Sequence, residues 1–355
     1  MYRSLQGRVP SVARACRCRE AETETYCRQR AGIRLSLTAA MSGPERTWVL
    51  VLAGGGADPP ESNSRHLGNP LQSRSLLKMT LSRARTIVPR ERICLLVNRG
   101  QKRDSSGSFT RRSYGNVIVQ PRHRGSAAAI LLAVLTILKR DPWARIIALP
   151  AQHHVDNERA LTSSLLDAAT PTAHTRHKLT LVGIRQEDAD SASGFIVPGR
   201  WFEDGTRSVH RIVHSSGKES AGEVWAQGAL WDSSIVAARA VVLVSVLRAR
   251  MPDLVDQMEI ALAQGDGFEA RAGALTQLYA RLPVIDFAHV LSQGAESECR
   301  VITSRRCGWS DLRTARRVTA VIRRLRSAEP RATAPGRVGH VTSPRVVRPL
   351  MKVNH

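Results

Sequence analysis

Short, unbroken apolar runs alternate along the chain with longer amphipathic stretches. The runs TWVLVLA (47–53), RICLLVN (92–98), NVIVQ (116–120), RIIALP (145–150) and KLTLVGI (178–184) predict strands buried on both faces. A strand with one wet face would alternate apolar and polar residues instead. Residues 75–88, 125–141 and 157–170 carry helical spacing. The second of these opens on Gly125 and Ser126 and closes on basic residues, and Asp156 is placed to cap the third. This order of strands and helices predicts an α/β fold, a mostly parallel sheet with helices on both faces. Ligands in such sheets bind beyond the carboxyl ends of the strands. The stretches to watch are therefore 53–73, 120–126, 150–156 and 184–199. Residues 193–239 predict short strands among Gly, Trp and Ser. Helices return at 240–281 and 312–326, and 100–115 reads as a polar loop.

The pattern covers one domain, 47–326. Residues 1–46 are Arg-rich without a lasting hydrophobic period, and 327–355 are basic and proline-rich, so both are expected to be disordered extensions. The first forty residues lack the apolar stretch of a secretory signal, and Glu20, Glu22 and Glu24 argue against a transit peptide. Met41, followed by SGPERTWVLVLAGG, reads as an alternative start. No apolar run reaches the ~18–20 residues of a membrane span.

Charge changes the picture less than its size suggests. The net charge of +23 invites an anionic partner, nucleic acid included. Only six of the 53 basic residues are lysine, and the arginines are spread along the chain. That skew reads as a coding bias toward arginine, which makes nucleic-acid binding the weaker reading. Cys16, Cys18 and Cys27 lack a nearby fourth ligand for zinc, and Cys94, Cys299 and Cys307 are scattered. Reduced thiols and a cytoplasmic location are expected.

Eight stretches carry a further signal through their order: VLAGG (51–55), QPRHRGSAAAILLAVL (120–135), LPAQHHV (149–155), LVGI (181–184), SGFIVPG (193–199), GALWDSSIVAAR (228–239), YARLPVIDF (279–287) and CGWSDL (307–312). In this order they resemble sugar-nucleotide pyrophosphorylases, above all short bacterial mannose-1-phosphate guanylyltransferases without an appended isomerase domain. The resemblance implies a Rossmann-like nucleotidyltransferase fold. It implies GTP and mannose 1-phosphate as substrates, GDP-mannose and pyrophosphate as products, and Mg²⁺ as cofactor. Such chemistry rests on positioning and charge neutralisation.

By the same resemblance, Ala53, Gly54 and Gly55 form the phosphate loop, and Gln120, Gly125 and Ser126 the base-reading turn. Gly194 and Asp232 lie on the sugar-phosphate side, and Asp311 with Gln152 in the metal site. Several positions depart from the family. The loop runs on as Ala57, Asp58 and Pro59, with proline where the family has arginine, and Leu71 replaces a lysine. Gln152 stands for a metal-binding aspartate, Asp232 for an asparagine and Arg313 for a glycine. HSS (214–216) stands for a Glu-Lys-Pro turn. These exchanges predict guanylyltransferase activity in a weak or altered form. The alternative is an inactive relative that binds a nucleotide or a protein partner. Nucleic-acid binding through net charge is the third reading.

Overall fold

The apolar runs become strands whose alternate residues face two separate cores. The structure, a computed structural model, describes residues 46–54, 76–99, 116–170, 175–185, 194–213, 221–264, 268–312 and 315–328. On β1 (Thr47–Leu52), Trp48 and Leu50 face one core while Val49 and Val51 face the other. On β4 (Arg145–Pro150), Ile146 and Ala148 pair off against Ile147 and Leu149 in the same way. The first core is filled by α2 (Gly125–Leu138), α5 (Ala240–Arg250) and α6 (Pro252–Ala263), with residues of α7 (Phe268–Arg281) and α8 (Phe287–Leu291). The second is filled by α1 (Leu76–Ile87) and α3 (Glu158–Ala169). Helix α2 is buried around most of its circumference, as an all-apolar helix must be. Buried Arg83 of α1 holds Glu158 of α3 in a two-pronged ion pair, Nε to Oε2 at 2.7 Å and Nη2 to Oε1 at 2.8 Å.

The remaining strands are β2 (Ile93–Asn98), β3 (Asn116–Gln120), β5 (His153–His154), β6 (Leu179–Ile184), β7 (Phe195–Trp201), β8 (Arg207–Val213), β9 (Leu230–Arg239), β10 (Cys299–Thr303) and β11 (Ser310–Asp311). Short α4 (Ala221–Ala226) precedes β9, and α9 (Ala315–Ala328) follows β11. The main sheet runs β3-β2-β1-β4-β9-β6-β10-β8-β7. Strands β1 to β4, β6, β7 and β10 point one way, and β8 and β9 point the other. The sheet is thus mostly parallel in direction but mixed in pairing.

One expectation needs correction, and one feature of the sheet lies beyond what the sequence predicts. That feature is the inverted β9 between β4 and β6, which pairs Val236 with Ala148 and with Leu181. Ten-residue β9 hid behind its polar centre, Asp232-Ser233-Ser234, which breaks the apolar run. Ser233 Oγ donates to Val182 O at 2.6 Å, and Ser234 adopts φ +55°, so this centre is a kink within the strand. The correction is that Asn157, not Asp156, caps α3, its Oδ1 accepting from Ala160 N at 3.0 Å. Asp156 is turned toward His154 and Arg324.

The expected extensions and the 100–115 loop lie outside the described residues, apart from Arg46 and the end of α9. No described helix is long and apolar enough to cross a membrane.

Candidate functional site

The carboxyl ends of β1, β2 and β3 meet in a chain of side-chain amides. Gln120 Nε2 donates to Asn98 Oδ1 at 2.6 Å, and Asn98 Nδ2 donates to Gly54 O at 2.9 Å. Asn98 and Gln120 face each other in register on adjacent strands, and Ala53 N donates to Leu96 O at 2.9 Å, which seats the loop start against β2. A Cβ on Gly54 would lie 2.5 Å from Gln120 Nε2 and 3.0 Å from Asn98 Oδ1, so this close approach requires glycine. Gln120 is 0% exposed, and its Oε1 has no hydrogen-bond partner among the described residues. A buried acceptor in that state costs about 1–3 kcal/mol. Gly55, Asp58, Pro59 and Leu71 lie outside the described residues.

Gly125 and Ser126 form a joint with the segment before α8. Gly125 has φ +81°, and a Cβ there would come within 2.0 Å of Ile285 O. Ala127 N donates to Ile285 O at 3.1 Å, and Ile285 N to Arg124 O at 3.2 Å. Ser126 N and Oγ each donate to Asp286 Oδ1 at 3.3 Å, and Ser126 Oγ accepts from Phe287 N at 2.8 Å. The positive end of α2, where the resemblance puts a nucleotide, thus already faces the Asp286 carboxylate.

Gly194 and Asp232 are brought together where β7 and β9 begin. Asp232 N donates to Gly194 O at 2.9 Å, and Asp232 pairs with Gly183 near the carboxyl end of β6. Asp232 Oδ1 accepts from Ser234 N at 2.7 Å, which fixes the carboxylate at the kink. Trp231 beside it is buried against Phe195, ring centroids 5.1 Å apart. The 214–216 turn lies outside the described residues.

Gln152 and Asp311 are also brought together. Strands β5 and β11 pair antiparallel, Asp311 opposite His153, and Leu312 N donates to Gln152 O at 3.1 Å. The Asp311 side chain is 2% exposed and accepts from Arg317 Nη1 at 3.1 Å, with Arg317 itself 9% exposed. The guanidinium carbon of Arg317 lies 5.6 Å from the centre of the Trp231 ring. The same helix sends Arg324 to Asp156 at 3.2 Å and to Gly308 O at 3.3 Å. Val321 of α9 packs with Leu76 and Leu312 in a small core of its own. Helix α9 thus clamps the 307–312 turn by two arginines seven residues apart, which fall on one helix face.

These residues do not fit Mg²⁺. Magnesium takes carboxylates in an octahedral shell. Here Gln152 contributes a neutral amide, and the one carboxylate opposite is already paired with a guanidinium. Among the described residues no group of three or more His, Cys, Asp or Glu is placed to hold a metal ion.

The described cysteines offer no alternative chemistry. Cys94, Cys299 and Cys307 are free and buried, and burial pushes the thiols of Cys94 and Cys299 up to about 12.

Sequence reasoning missed Asn98, Arg317 and Asp286. Asn98 could have been found as the polar residue closing an apolar run. Nothing in the arginine-rich stretch around Arg317 distinguishes it from its neighbours.

No protein-family model matches the chain. Mannose-1-phosphate guanylyltransferase 2 of Escherichia coli O157:H7 is 30% identical over 155 residues, 41% of this chain and 32% of its own length. The alginate biosynthesis protein AlgA of Pseudomonas syringae pv. tomato is 25% identical over 203 residues, 55% of this chain and 40% of its own. The chain therefore spans less than half the length of these relatives. Among solved structures, one described as a mannose-1-phosphate geranyltransferase from Thermus thermophilus aligns with a TM-score of 0.61 at 25% identity, covering 75% of this chain and 76% of that one. Fold and likeness define the class: an α/β domain of the nucleotidyltransferase type, with a Rossmann-like sheet. Within that class the chain resembles the mannose-1-phosphate guanylyltransferases.

Proposed function

We propose that the chain is a slow guanylyltransferase, joining GTP and mannose 1-phosphate in the cleft along the carboxyl edge of the sheet. A phosphate oxygen of the sugar phosphate attacks the α-phosphorus of GTP as the bond to the β-phosphate breaks. Pyrophosphate leaves and GDP-mannose remains. The observation that carries this reading is the Gly54–Asn98–Gln120 cradle at the ends of three adjacent parallel strands. Gly54 lets the Gln120 and Asn98 amides close over the loop backbone, and Gln120 Oε1 is an acceptor that a guanine N–H would satisfy once the cradle opens to it. Asp232, anchored by Ser234 N, offers a carboxylate to sugar hydroxyls.

The slowness follows from charge. Removing one preorganised group that stabilises developing charge costs about 10²–10³ in rate, and such losses within one site need not add. Leu71, Pro59 and Gln152 each stand where the resemblance implies a charged group. The test is pyrophosphate release from purified protein with GTP and mannose 1-phosphate, set against other nucleotide and sugar-phosphate pairs. Release above the blank, fastest with this pair, supports the reading. No release at high protein concentration rejects it.

A second reading is favoured by the Asp311–Arg317 pair, which occupies the carboxylate the reaction would use. On that reading the cleft binds the nucleotide without turnover, and calorimetry would register GTP or GDP-mannose binding where the assay registers nothing.

A further inference from the structure

We infer that Arg317 holds the carboxylate a divalent metal would need, so that phosphate-bearing ligands bind here without such a metal. The inference rests on reading this cleft as a nucleotide and sugar-phosphate site.

The Asp311 carboxylate is the acidic group that a metal would need, and it is closed on the cleft side by its own chain. Its Oδ2 accepts from Arg317 Nη1 at 3.1 Å, and both side chains are almost fully buried. A divalent ion reaching that oxygen would have to displace the guanidinium, and a guanidinium left beside a dipositive ion in a poorly solvated place is strongly disfavoured. Gln152, held next to Asp311 by the Leu312 N to Gln152 O hydrogen bond, adds an oxygen but no charge.

Helix α9 makes the arrangement systematic. Asp156 and Asp311 are the acidic residues of the two segments that meet here, 150–157 and 307–312, and α9 sends an arginine to each. The helix is held in place by Val321 against Leu312 and Leu76, so the two cations belong to the fold. Arg317 also lies over the Trp231 ring, which fixes the guanidinium on the face of β9 that carries Trp231. A guanidinium built into the fold cannot be chelated away, so the carboxylate stays occupied whatever ions are in solution.

The test uses the full-length protein and two readouts besides turnover. Mn²⁺ alone is titrated against wild type and Q152D/R317M, following loss of the free-ion signal by electron paramagnetic resonance. Wild type is expected to take up no tight ion. The double variant, with two carboxylates and no guanidinium, is expected to bind one ion at least about tenfold tighter than wild type, since ligand charge sets such affinities. One tight Mn²⁺ per wild-type chain overturns the proposal without reference to any variant. So does a double variant that melts cooperatively yet gains no site. If the double variant does not fold, the wild-type titration decides. In the second readout, GDP-mannose binding is measured by calorimetry with Mg²⁺ and with EDTA. Equal affinities support the proposal, and a loss of about tenfold or more in EDTA, or about 1.4 kcal/mol, overturns it. No binding under either condition rejects the nucleotide reading instead and leaves the Mn²⁺ titration to judge metal exclusion.

Discussion

Gln120 and Asn98 lie directly across from each other at the ends of two parallel strands, joined amide to amide at 2.6 Å. The bond fixes which way Asn98 points and so places its Nδ2 on Gly54 O. Asn98→Ala should leave both Gln120 Nε2 and Gly54 O without this partner, at about 1–3 kcal/mol of stability. Thermal or urea unfolding reads this directly. An unchanged midpoint would mean that the amide chain does not hold the loop.

Gly54→Ala should be costly for a different reason. The added methyl would meet Gln120 Nε2 at 2.5 Å and Asn98 Oδ1 at 3.0 Å, so the amide chain must move. Overpacking of this kind costs about 1–3 kcal/mol. On the proposed function, calorimetry on the variant should also show weaker GTP binding than wild type, because the displaced residues form the proposed base-reading cradle.

Arg317→Met should be among the most damaging single changes. It takes the guanidinium from a buried carboxylate, a loss that costs about 3–5 kcal/mol. Pairing it with Asp311→Asn should recover much of the loss, since the buried charge goes with it. A double-mutant cycle by urea denaturation checks this, and additive losses would contradict it.

Arg145 presents the opposite case. It stands across from Arg239 on β9, and burial together with that neighbour lowers its pKa to about 10. Facing like charges on adjacent strands destabilise a sheet, by about 0.2–1 kcal/mol. Arg145→Gln should therefore raise the melting temperature at neutral pH, and a fall would disprove the repulsion.

The cysteines set an alkaline limit. Cys94 is raised to about 12 in the folded chain from an ordinary 9.0. The native state holds the thiol proton more tightly, so this contribution to stability is complete below pH 9 and is lost as pH rises from 9 toward 12. Cys94→Ala should flatten the fall in stability over that window. At neutral pH, alkylation followed by peptide mapping should leave Cys94 and Cys299 unmodified until denaturant is added.

Much of this was legible in the sequence, because strands buried on both faces leave unbroken apolar runs. β1, β2, β3, β4 and β6 stand within a residue of where their runs put them. β9 was harder, since its kink is built from Asp232, Ser233 and Ser234, and its place between β4 and β6 is a matter of pairing that periodicity does not encode. At the site, glycines and amides were visible as types at strand ends. Their partners were not: Arg317 reaches Asp311 from the following helix and is one arginine among many, and Asp286 reaches Ser126 from 160 positions away.

That last separation bears on how the chain is made. The joint at Gly125 is shaped by Ile285 and Asp286, which leave the ribosome long after α2 does. At about 5–20 residues per second the gap is on the order of 10–30 s. By its end eight of the nine strands of the main sheet have been made, while the joint that closes on Gly125 is only then completed, so a nascent chain carries a nearly whole sheet before it carries this joint.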